Sequence, residues 1–214
     1  PKPLSVSNEI ERDGNGASSS SSFTRWGALG AMLAGLAWTV SGIIGAFLAP
    51  AGGRGPEMLG FVPLDEALYG VALVGTLGGL VGLHARQAPS YGRLGSVGFL
   101  ASFLGVSLLL VGLSLSFLAG RFLDQVMGLG FLVTLVGFIL LGAATLRLGV
   151  LPWWCALLLI ACLPLAIDLG HHGGAFALGL IWLALGCMLL LSCYLSALFQ
   201  TFEKPEGVSK PVRR

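Results

Sequence analysis

The sequence predicts an all-α fold: a polytopic transmembrane helix bundle of six spans with both termini in the cytosol. Three observations carry this. Of 214 residues, 55% are hydrophobic and 10% charged, with a mean hydropathy of +0.88, whereas soluble domains carry about 25% charge. The apolar residues come in continuous blocks, and backbone in lipid must satisfy its own hydrogen bonds, so the blocks are helices rather than the alternating strands of a barrel. Finally, Lys and Arg gather on one side of the blocks and orient them.

Residues 1–24, "PKPLSVSNEIERDGNGASSSSSFT", are polar and serine-rich. They lack the charged-then-apolar order of a signal peptide and are expected to form a disordered cytosolic tail. A transmembrane domain over 25–200 follows, with apolar blocks at 26–49, 66–86, 94–119, 126–146, 152–170 and 175–199. Crossing a bilayer takes about 20 helical residues. The shortest block, 152–170, is about 28 Å long at 1.5 Å per residue and is expected to span. "APAGGRGP", "QAPSYG" and "GVLPWW" punctuate the blocks, and Pro152 stands at a helix start, where a missing N–H costs little. Residues 201–214 form a second cytosolic tail.

With the N-terminus inside, the cytosolic side receives Lys2, Arg12, Arg25, Arg86, Arg93, Arg147, Lys204, Lys210, Arg213 and Arg214, and the outside only Arg54 and Arg121. Trp26, Trp153 and Trp154 fall at the inner boundary, as aromatic-belt residues do. A multi-pass protein of the plasma (inner) membrane is expected, with the lipid bilayer as its surroundings and no nucleic-acid partner. A homo-oligomer or a membrane-complex partner stays open.

Glycine, at 33 residues, is about twice as common as average. Gly75/Gly79 and Gly78/Gly82 form small-xxx-small pairs, Gly98, Ser102, Gly105, Gly112 and Ser116 form one stripe, and Gly130, Thr134 and Gly137 another. Such stripes let helix backbones approach where no hydrophobic effect drives association. "GFLASFLG" (98–105) and "GFLVTLVG" (130–137) look alike. They lie on consecutive, oppositely directed helices rich in these residue types, so the likeness is treated as coincidence.

The most chemical-looking stretch is "DLGHHGG" (168–174), expected on the outer surface between spans five and six. Asp168 precedes His171 and His172 by one helical turn. The glycines argue that the helix ends here in left-handed positions, making a polar interfacial turn. The competing readings are a proton or ligand site and a metal site. Both would need Asp168, His171 and His172 to converge with Asp65, Glu66 or Asp124 on the same surface, since a metal takes three or four ligands. Arg54 and Arg121 would otherwise neutralise these carboxylates.

Other chemistry has little to run on. Asp168 is the sole acidic residue between Phe131 and Phe199, no Lys lies in a span and His84 stands alone at the inner edge. No cofactor is expected. Cys155 and Cys162 share a helix face while Cys187 and Cys193 diverge, so the thiols read as packing residues. Thr39, Thr76 and Thr134 are expected to bond their own helices or a neighbour.

"YGRLGSVGFL" (91–100) and "ATLRLGVLPWW" (144–154) resemble uncharacterised bacterial integral membrane proteins of six or so helices. That resemblance implies the same helical core and supplies no established catalytic residues to carry over. The leading functional expectation is a structural or accessory membrane component without an active site. The alternative is a small-solute transporter or permease-like protein with its mouth at the outer acidic–His cluster. A membrane-embedded metalloenzyme is third. A water-filled cavity reaching Thr39, Thr76 or Thr134 is the observation that separates them.

Overall fold

The computed structural model describes residues 7–48, 62–88, 90, 92–119, 124–149 and 151–202. They form six helices: α1 (Ser7–Leu48), α2 (Val62–Gln87), α3 (Arg93–Ala119), α4 (Asp124–Leu148), α5 (Trp153–Asp168) and α6 (Gly170–Phe202). Among the described residues there is no strand. The chain is a helical, multi-pass membrane protein: α1 to α4 and α6 are each long and apolar enough to cross a bilayer.

Three boundaries depart from the sequence reading. First, α1 begins at Ser7, inside the stretch expected to be disordered. No proline lies between Pro3 and Pro50 to stop a helix that the apolar residues have already nucleated. Second, α5 has only 16 residues, about 24 Å at 1.5 Å per residue, with Pro164 inside it. It is shorter than the expected span. Third, the glycines of "DLGHHGG" do not terminate a helix. Leu169 alone separates α5 from α6, with helical φ −76° and ψ −7°, and Gly170 to Gly174 are the first residues of α6. The reason is packing: a Cβ on Gly174 would stand 3.1 Å from Ala166 Cα and collide with its carbonyl. Glycine is needed there for close approach, not for a left-handed turn. The one positive φ among the described residues is at Gly149 (62°), just past α4, where a left-handed glycine ends the helix.

The helices pack antiparallel in a closed ring, each against its sequence neighbours, with α1 closing against α6. The first helix turns mostly small residues inward, Trp38 excepted, and large ones outward. On α1, Ala28, Ala31, Ala34 and Ala37 are buried while Leu29, Leu33, Leu36 and Val40 are exposed. That inversion of a soluble core suits helices that bury backbone against backbone and show branched side chains to lipid.

Three of the interfaces are glycine zippers. Between α1 and α2, Gly27 meets Gly82 and Gly75 meets Ala34. Between α3 and α4, Gly98 meets Leu141, Gly130 meets Leu109, Gly105 meets Thr134 and Gly137 meets Ser102. These meetings are reciprocal: corresponding positions of "GFLASFLG" and "GFLVTLVG" exchange places across a local two-fold. Ser102 and Thr134 even make the same bond, each donating to the carbonyl four residues back, Gly98 at 2.8 Å and Gly130 at 2.7 Å. The likeness treated as coincidence is a packing motif. A second, unnoticed in the sequence, joins α1 to α6: "GLAWTVSG" (35–42) faces "GLIWLALG" (179–186). Gly35 meets Leu183, Gly179 meets Thr39, Gly42 meets Phe176 and Gly186 meets Met32. By contrast, α2 meets α3 without a zipper; a Cβ on Gly70 would only touch Leu113 at 3.6 Å.

Substitutions on α4 test this reading with opposite signs. Gly137→Ala puts a methyl 2.7 Å from Ser102 Cα and is expected to destabilise by about 1–3 kcal/mol through overpacking. Gly128 has nothing within 4 Å, so Gly128→Ala should be neutral or stabilising by up to about 1 kcal/mol from helix propensity. Unfolding midpoints in detergent give both numbers.

Candidate functional site

The ring surrounds a partly open cavity of about 60 Å³ to which every helix contributes: Trp38 from α1, Thr76 from α2, Val106 from α3, Thr134 from α4, Leu163 from α5 and Trp182 from α6. Tyr69, Phe131 and Phe138 add aromatic wall. Trp38 and Tyr69 meet edge to face at 4.8 Å, and Phe138 lies tilted against Trp182 at 6.0 Å. Trp38 and Trp182 occupy the same position of the two matching eight-residue motifs, three residues after Gly35 and Gly179. The α1–α6 zipper therefore delivers one indole from each helix to the central space.

The polar groups in this wall matter more than its area. Thr134 is buried and its hydroxyl proton is committed to the Gly130 carbonyl, leaving its oxygen able to accept. Thr76 is 4% exposed, and its hydroxyl has no hydrogen-bond partner. The expectation that the mid-span threonines bond their own helix or a neighbour fails here. Thr39 fulfils it, donating to Gly35 at 2.7 Å, and does not line the cavity. A buried hydroxyl left unmade costs about 1–3 kcal/mol, so Thr76 marks a place where something from outside the protein would be stabilised.

The residues singled out in the sequence sit elsewhere. Asp65 and Glu66 begin α2, and Asp168 ends α5 with its side chain exposed. Asp65 accepts a 2.5 Å hydrogen bond from buried Ser41 of α1, tying the ends of two helices together. Asp124 begins α4, and His171 and His172 lie in the first turn of α6. The side chains of these three lie outside the described residues, as do Arg54 and Arg121. Among the described residues no three His, Cys, Asp or Glu are grouped to hold a metal ion. Asp65, Glu66, Asp124, Asp168, His171 and His172 share one end of the bundle, set by the antiparallel ring. Arg25, Arg86, Arg93 and Arg147 share the other, together with the exposed indoles of Trp26 and Trp153. The four cysteines are free thiols, Cys155 and Cys162 fully buried on one face.

A second buried polar group stands at the basic end. Gln87 closes α2 with no exposed surface; its amide oxygen accepts from Thr145 at 3.1 Å, and its nitrogen has no partner. Thr145 shares its single hydroxyl proton between that oxygen and the nearer Leu141 carbonyl at 2.9 Å, so removing the amide would not orphan it. Nearby His84 stacks on Phe99 with centroids 4.1 Å apart. Because the unpaired amide nitrogen is a liability, Gln87→Met is expected to leave stability unchanged or raise it by about 1 kcal/mol. A clear loss on chemical unfolding would mean the amide is satisfied in the membrane.

No protein-family model, no curated protein and no solved structure matches this chain.

Proposed function

We propose that the protein is a carrier of small solutes in the plasma (inner) membrane, with six crossings, both termini cytosolic and the central cavity as its solute site. The observation that supports this is the unpartnered Thr76 hydroxyl in a space walled by all six helices. An accessory component without a site has no use for it. The transporter alternative therefore moves ahead of the accessory reading. On this reading the short α5 crosses with its neighbours, and the resemblance to bacterial six-helix membrane proteins is one of kind.

The packing supplies a means of movement. Helices α6, α1 and α2 are zipped into one body and α3 and α4 into another, and the cavity lies between them. The α2–α3 interface is unzipped, so that seam opens at least cost while the zippers hold. Rocking of one body against another around a fixed site is how many secondary transporters alternate access. Asp65, Glu66, Asp124, Asp168, His171 and His172 would form the outer mouth. The concentration of Arg25, Arg86, Arg93 and Arg147 at the opposite end supports a cytosolic position for that end.

The test uses a thiol-free background in which Cys155, Cys162, Cys187 and Cys193 are replaced by alanine. Val106→Cys places a thiol at a cavity wall that is 1% exposed. On the carrier reading each opening of the seam widens and hydrates the site, so in sealed vesicles of known orientation a membrane-impermeant methanethiosulfonate reagent should label it slowly from either face. No labelling from one or both faces would overturn the carrier reading. Asn15→Cys in the same background should be labelled from the cytosolic face alone; labelling from the outer face would reverse the topology.

A further inference from the structure

We infer that the solute is a neutral molecule of about two to four heavy atoms, mostly apolar and carrying one hydroxyl-type group held by Thr76. This inference rests on the carrier reading above and narrows it to a chemical class. Size comes first. A cavity of about 150 Å³ takes up benzene, and this one, at about 60 Å³, has room for roughly half of that ring.

Charge comes second. The wall contains no Asp, Glu, Lys, Arg or His. An ion entering it would shed its hydration with no opposite charge to meet it, which costs far more than a neutral group does. Indole and phenyl faces attract cations by about 2 kcal/mol when desolvated, less than the several kcal/mol that an unpaired buried charge costs. The aromatic wall suits an alkyl body.

Hydrogen bonding comes third. Thr76 offers a free donor and acceptor, and Thr134 an acceptor. One hydroxyl on the solute can accept from Thr76 and donate to Thr134. Beyond these two threonines the wall residues carry only the Tyr69 hydroxyl and the Trp38 and Trp182 N–H groups as side-chain polar groups. One hydroxyl is what the threonine pair satisfies, and the extra groups of urea or glycerol would fall mainly against Val106, Leu109 and Leu163.

Three isosteric bromides test the class in the full-length, thiol-free protein, because bromine quenches indole fluorescence. Trp26, Trp153 and Trp154 are replaced by phenylalanine, leaving Trp38 and Trp182 at the cavity wall. The probes are 2-bromoethanol, 1-bromopropane and 2-bromoethylammonium, each of four heavy atoms. Quenching by 2-bromoethanol should saturate. Thr76→Val should weaken its apparent affinity about fivefold, the size of one lost hydrogen bond, and Thr76→Ser should restore it. 1-Bromopropane should bind as weakly as 2-bromoethanol does to Thr76→Val and should ignore that substitution. 2-Bromoethylammonium should show no saturable quenching.

Saturable quenching by the ammonium probe would overturn neutrality. An equal affinity of 2-bromoethanol for the parent and Thr76→Val would overturn the hydroxyl anchor. If no probe saturates while Val106→Cys is labelled from both faces, the solute class is wrong and the carrier reading stands. If 2-bromoethanol saturates with the stated Thr76 dependence but labelling fails, the site is a binding site and the carrier reading falls.

Discussion

Replacing Trp182 with alanine is expected to lower the unfolding free energy by about 3 kcal/mol, the low end of the range for large aromatic truncations in cores. Trp182 is 1% exposed and the largest of the fully buried side chains. Its ring packs beside Phe138 and against Gly79, where a Cβ would stand 2.7 Å from the indole. In lipid the transfer part of the penalty shrinks, because an acyl chain is as apolar as the protein interior. The cavity part remains, since the atoms lining an enlarged void face empty space and forfeit their dispersion attraction. Trp182→Phe should cost about half as much, and Trp153→Ala, at a position 68% exposed, close to nothing. Chemical unfolding in mixed micelles orders the three. A Trp182→Ala midpoint equal to that of Trp153→Ala would remove Trp182 from the core and the α1–α6 motif with it. The same variant enlarges the solute site, so solutes larger than 2-bromoethanol should then quench Trp38.

What the sequence could reveal depended on how local the signal was. The α3 stripe was legible because its members repeat within one helix, and Gly98, Ser102, Gly105 and Gly112 all meet α4. The closure of the ring was not. It depends on Gly35, Trp38 and Gly42 matching Gly179, Trp182 and Gly186, a correspondence spread over most of the chain and hidden by abundant glycine and leucine. The end of α5 was misread for a related reason. Glycine serves both left-handed caps and close helix packing, and only the position of Ala166 beside Gly174 decides between them.

The site was half legible. Thr76 and Thr134 stood out as mid-span hydroxyls, yet nothing in the sequence distinguishes Thr76, left unpaired, from Thr39, which is satisfied four residues back. That difference arises from what surrounds each hydroxyl. The acidic and histidine positions drew attention by chemical type, although residue type alone does not show whether side chains meet.

The last expectation concerns the interface that makes α3 and α4 one body. Gly105→Leu should destabilise the protein by about 2–3 kcal/mol, toward the upper end for overpacking. A Cβ on Gly105 would stand 2.8 Å from Thr134 Cα and collide with the Thr134 amide nitrogen and hydroxyl. Backbone cannot turn aside as a flexible side chain can, so the helices must separate. Separation would also disturb Gly130, whose own Cβ position lies 3.0 Å from the Leu109 nitrogen, and the zipper would loosen along its length. Thr134 would shift away from Thr76, so binding of 2-bromoethanol should weaken together with stability. Gly105→Ala should reproduce part of both losses, because the collision begins at Cβ. A leucine variant whose melting temperature in detergent matches the parent's would show that α3 and α4 are not held backbone to backbone. The rigid body on which the rocking motion depends would then be lost.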